Sequence, residues 1–131
     1  MHRLYLPGCC LAALLAAGCG ISSPSSNNAQ NFSSTLAVGG INVHQFSSGG
    51  TGEFSVKITA VSPDSTILLG LTFGQMSGAN CVPFQGFNVL SRVNAPTTLS
   101  GPIQKGSYCT TVYDPGTLTQ PENYTISVSH P

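Results

Sequence analysis

The segment EFSVKITAV, residues 53–61, leaves a chain few folding options. Phe54, Val56, Ile58 and Ala60 alternate with Ser55, Lys57 and Thr59, and only an extended strand puts alternate residues on opposite faces. One face is apolar, so something has to cover it. The same period returns in TILLGLTF (66–73), with Ile67, Leu69, Leu71 and Phe73 on one side, and in NYTISVS (123–129), with Tyr124, Ile126 and Val128 set against Asn123, Thr125, Ser127 and Ser129. FNVLSRV (87–93) and SYCTTVY (107–113) are weaker versions. In TLAVGGINVHQF (35–46) the apolar set changes parity at Gly39 and Gly40, which predicts a bulge or a turn. Pro63 in SPDS (62–65) suits a type I turn and predicts a hairpin between the two flanking runs, while Pro115 and Gly116 suit the centre of a type II turn. Six to seven such strands with no helical period predict a small all-β antiparallel sandwich, jelly-roll-like or Ig-like, because a single sheet would leave an apolar face in water.

Ahead of this domain stands a different composition. Residues 1–18 carry His2 and Arg3, an apolar stretch too short to span a bilayer, and the small residues Ala16, Ala17 and Gly18 before Cys19. This pattern resembles the bacterial lipoprotein signal, with Ala16 where that family usually has Leu and with Leu15 one place earlier. The resemblance implies that Cys19 becomes the first mature residue and carries a thioether-linked diacylglycerol and an acylated amino group. Two or three acyl chains anchor firmly, since each buried methylene contributes about 0.8 kcal/mol. Gly20 stands where an Asp would favour inner-membrane retention, which points to the outer membrane of a bacterial envelope. An ordinary cleaved signal is the alternative. Residues 19–34, rich in Ser and Asn, then read as a flexible tether with a reach of roughly 20 Å, and residues 35–131 as the folded domain.

An exported chain meets an oxidising compartment, and Cys81 and Cys109 are the only thiols after Cys19. A disulfide between them would contribute about 3.5 kcal/mol on the chain-entropy argument, a large share for a domain with no Trp in its core. Their spacing and the missing Trp argue against an immunoglobulin-type core. No CxxC spacing points to metal or redox use.

The last third, with Gly106 before Tyr108 and a final Tyr124, Ile126, Val128 strand, resembles the C-terminal half of the pre-peptidase C-terminal domain. That family is a small jelly-roll-like sandwich of secreted bacterial proteins, and about 80 residues from Gly52 onward would be covered. The resemblance implies no site residues here, because the carboxylate cluster of its calcium-binding members is not visible.

Four Lys or Arg and four Asp or Glu among 131 residues give no basic field for nucleic acid. No nucleophile elbow, metal motif or phosphate loop is visible, so no cofactor or metal and no enzymatic activity are expected. Asp64 and Asp114 read as turn carboxylates, Glu53 and Glu122 as solvated strand ends, and His44 with His130 as an improbable metal pair. Tyr113 and Phe84 are the candidate binding patch, for a glycan or a protein surface. The expected function is a lipid-anchored envelope module for binding, adhesion or assembly, with the membrane as one partner and an envelope protein or glycan as the other. The alternatives are a carbohydrate-binding module and, behind it, an envelope hydrolase.

Overall fold

The computed structural model describes residues 27–131, so the expected signal (1–18) and Cys19 lie outside the described residues. Eight strands follow one another: β1 (Asn28–Leu36), β2 (Ile41–Ser48), β3 (Gly52–Ser62), β4 (Leu69–Ser77), β5 (Asn80–Ser91), β6 (Leu99–Ile103), β7 (Gly106–Tyr113) and β8 (Glu122–His130). They form two four-stranded antiparallel sheets, ordered β1-β8-β3-β6 and β2-β7-β4-β5. β1 pairs with β8, β2 with β7, β3 with β6 and β4 with β5. The chain is therefore one long hairpin whose arms are rolled so that successive strand pairs fall in alternate sheets. This is a jelly roll, one of the two expected forms of the sandwich.

Two expectations are corrected. Residues 28–34, which their composition assigns to the tether, form most of β1. Backbone pairing with β8 runs over its whole length, and the polar side chains pair as well: Ser33 with Thr125 at 2.7 Å, and Thr35 donating to Asn123 at 2.6 Å. A polar strand finds a polar sheet face, and Phe32 and Leu36 are its apolar anchors on the inward side. Second, β3 and β4 do not pair as a hairpin, since they belong to different sheets. The connection contains a cis Ser62–Pro63 peptide, and Asp64 accepts hydrogen bonds from the Thr66 amide and hydroxyl there.

The core lies between the sheets, where the alternating residues of β3, β4, β7 and β8 meet. Aromatic rings fill its centre. Phe54 stacks on Phe73 at 3.7 Å, and Phe73 also meets Tyr108, Phe84 and Phe87 at centroid distances of 5.4, 5.5 and 5.6 Å. Each such pair adds about 0.5–1.5 kcal/mol beyond the burial of its area.

The disulfide forms between Cys81 and Cys109. Cys81 is on β5 and Cys109 on β7, with β4 between them. Strands two apart in a flat sheet lie about 10 Å from each other, yet the two Cα atoms are 5.8 Å apart. The first half of β5 achieves this by leaning over the outer face of β4 after a register shift opposite Thr72 and Gly74. Gly74 lies beneath the crossing, where any Cβ would collide with the Val82 carbonyl. The staple and the glycine are one device.

Candidate functional site

The residues singled out in the sequence do not come together. Phe84 turns inward, with its ring against Phe73 and Tyr108. Tyr113 shares the outer face of its sheet with Cys109 and Thr111, its ring lies over Gly70 where a Cβ would meet it, and its hydroxyl donates to Asn88 at 2.6 Å. The two aromatics thus lie on opposite faces of one sheet and make no common patch. Asp64 and Asp114 are turn carboxylates. Asp114 accepts the amides of Gly39, Gly116, Thr117 and Leu118, and chiefly the Gly39 bond holds its carboxyl below the usual carboxylate range. For Asp64 the Thr66 hydroxyl has the same effect.

Glu122 departs from expectation. It is buried rather than solvated, because the Ser62–Asp64 crossing folds over it. The Asp64 amide donates to one oxygen at 3.0 Å and Gln120 to the other at 3.4 Å. Its bonds tie the β3–β4 connection to the start of β8, a pairing across the chain that no local sequence pattern marks. His44 and His130 also have separate surroundings. His130 stacks on Phe46 at 5.1 Å and its Nδ1 meets the Pro131 carbonyl. His44 bonds the Tyr124 hydroxyl through Nε2 at 2.6 Å.

That last contact belongs to a side of the sandwich that the sequence analysis overlooked. β1 and β2 are the edge strands of their respective sheets and lie one above the other. Their inward side chains interlock: Phe32 of β1 stacks on His44 of β2 at 5.0 Å, and Asn42 donates to the Thr35 carbonyl at 3.0 Å and to the Ser34 hydroxyl at 3.4 Å. Burial pushes His44 below its ordinary pKa and Tyr124 above its own. The histidine is held neutral and the phenol protonated, and each suits the hydrogen bond between them. Phe32, Ser34, Asn42 and His44 are all half-buried, so the core thins out at this side without ending in a charged rim.

β2 is inverted relative to the usual pattern. Its inward residues are Asn42, His44, Phe46 and Ser48, whereas Ile41 and Val43 face solvent with 67% and 37% of their surface exposed. Val38, in the preceding turn, is exposed beside them, and the register places Ile41 next to Tyr113 and Val43 next to Thr111. Leu90, on β5, completes a row across the sheet through Gly70. On the other sheet the outer face is polar, with a shallow cleft of about 330 Å³ lined by hydroxyl and amide groups including Ser33, Thr35, Ser62, Asn123 and Thr125.

No protein-family profile matches the chain, and no curated protein is significantly similar to it.

Proposed function

We propose that this protein is a lipid-anchored module of the bacterial envelope that acts by contact, as a binding, adhesion or assembly element. The anchoring part of the reading is supported by the small residues ahead of Cys19 and by the polar stretch after it. With β1 beginning at Asn28 and Asn27 donating to the Glu53 carbonyl, seven residues, 20–26, separate Cys19 from the fold. The domain would therefore stand close to the lipid head groups.

The contact part rests on one observation, the inverted β2. A strand that carries no Lys, Arg, Asp or Glu and turns Ile41 and Val43 outward, next to Tyr113, offers apolar area to a partner. The disulfide and the aromatic core hold that area rigid, which reduces the ordering cost of association. Two measurements test the reading. Intact-mass spectrometry of the native protein should show acyl chains on an amino-terminal Cys19; an unmodified amino terminus defeats the anchoring. Capture from detergent-solubilised envelope should be lost in Val43→Lys with the fold intact; equal capture by the variant defeats the assignment of the surface.

A second reading is a glycan-binding module, favoured by the uncharged hydroxyl-lined cleft on the other sheet. It predicts retention on insoluble polysaccharide that Asn123→Ala abolishes.

A further inference from the structure

We infer that the side formed by β1 and β2 is a self-association surface, and that a second copy of this chain docks on it edge to edge to extend both sheets at once. The inference goes beyond the contact reading above, since it concerns the free edges of β1 and β2 rather than the outer face that carries Ile41 and Val43.

The four edge strands are protected unequally. On one side, β6 is five residues long and contains Pro102, while β5 contains Pro83 and a register shift. Short strands, prolines and bulges are the usual means by which sheets block pairing at an edge. On the other side, β1 runs for nine residues and β2 for eight, with no Pro, Lys, Arg, Asp or Glu in either. Their pairing with β8 and β7 proceeds without a shift. Among the described residues, no strand pairs with their other edges. Two long, regular, uncharged edges lie one above the other, and both are open.

Stacking of the two edges selects the occupant. A single extended peptide can add to one edge only. A second sandwich presenting the same two edges satisfies both, and a two-fold axis normal to the sheets relates the copies. Rotation about that axis pairs β1 with its copy antiparallel, pairs β2 with its copy antiparallel, and keeps the inner faces of both sheets inward. One axis serves both pairs only if the strand midpoints lie above one another. They do: Phe32 is the central residue of β1, His44 lies at the middle of β2, and their rings stack at 5.0 Å. The half-buried Phe32, Ser34, Asn42 and His44 would then meet the same residues of the partner, and the core would continue across the junction. Because neither strand carries a formal charge at neutral pH, the surface meets its own copy without like-charge repulsion.

The mature, exported protein provides the test. In a register centred on Phe32, Asn31 of one copy faces Ser33 of the other on the outer face of the sheet. Antiparallel partners have Cα atoms about 4.5–5.5 Å apart, within the range a disulfide spans. Asn31→Cys/Ser33→Cys should therefore give a covalent dimer of twice the mass on mild oxidation, whereas Ser100→Cys/Pro102→Cys on β6 should remain monomeric. Light scattering in a detergent of known micelle mass should report two chains per particle for the unaltered protein. Asn31→Glu/Ser33→Glu, with an unchanged circular dichroism spectrum, should weaken association by at least about tenfold. A single-chain mass together with no cross-link at β1 overturns the inference, and a cross-link from β1 to a different protein overturns the choice of partner. In either case, loss of envelope capture in Val43→Lys would leave the contact reading standing.

Discussion

Asp114 draws the two loops at one end of the sandwich together through backbone amides: Gly39 belongs to the turn between β1 and β2, and Gly116, Thr117 and Leu118 to the connection before β8. Asp114→Ala would leave these donors to water in a partly enclosed site, and should lower the unfolding free energy in urea by about 1–2 kcal/mol. Since the folded chain holds this carboxyl below its ordinary value, its contribution is complete above the ordinary carboxylate pKa and is lost as the pH falls through the lower, folded one. His44 acts in the opposite direction along the chemistry and in the same direction along pH. Burial lowers its pKa, so the unfolded chain takes up a proton near the ordinary histidine value before the folded chain does. Stability is therefore complete above that value and falls as the pH drops below it, with Tyr124 the titratable neighbour that faces the ring. Unfolding free energies at pH 7.5 and 5.5 should differ in the native protein, and the difference should shrink in His44→Gln. An equal difference in the variant would remove His44 as the cause.

The strands show where period-two reading succeeds and where it fails. β3, β4, β7 and β8 were legible because the inner face of each is predominantly apolar, so burial alone fixes the register. In β1, Phe32 and Leu36 are the only apolar side chains that point inward, with Ser34 between them, and composition speaks for a tether; its pairing energy comes from β8, which no local pattern reveals. The break at Gly39 and Gly40 is legible and forms the turn before β2, but the inward face of β2 is not, because Ile41 and Val43 are the more apolar set while Phe46 and the Phe32–His44 stack determine which face turns inward. Phe84 reads as a surface aromatic of a binding patch because the register shift in β5 breaks the alternation that would mark it as core. The disulfide was legible from cysteine count and compartment, but its route over β4 was not, since that depends on a glycine. Gly74→Ala should test this directly. The new methyl group collides with the Val82 carbonyl, and backbone cannot move aside as a side-chain tip can. Destabilisation of about 2–4 kcal/mol is expected, together with free thiols at Cys81 and Cys109 in a fraction of the protein folded under oxidising conditions. A variant as stable as the native chain, with both thiols bonded, would show that β5 can take another path.

At the scale of the whole molecule, the proposed anchoring and the proposed self-association constrain each other. Asn27 donates to the Glu53 carbonyl and Asn28 pairs with His130, so the tether leaves from the end of the sandwich that also holds Lys105, between β6 and β7. Val38 marks the other end. A single anchored copy can stand with its strands upright, Lys105 near the lipid and Val38 remote. A two-fold dimer cannot do so without fully extended tethers, because antiparallel pairing of β1 with its copy puts the two Asn28 positions at opposite ends, about 27 Å apart along the strand direction. The eight residue steps from Cys19 to Asn27 span at most about 28 Å when fully extended, barely that separation, so the proposed anchors reach one bilayer without full extension only when the strands tilt toward the membrane plane. A lipid-borne quencher should then dim fluorophores at Val38→Cys and at Lys105→Cys to a similar extent. In an upright monomer it should dim the Lys105 label several-fold more. If the Asn31→Glu/Ser33→Glu substitutions convert the first pattern into the second, association sets how the domain lies on the membrane; if the labels respond alike with and without those substitutions, the tether alone sets it.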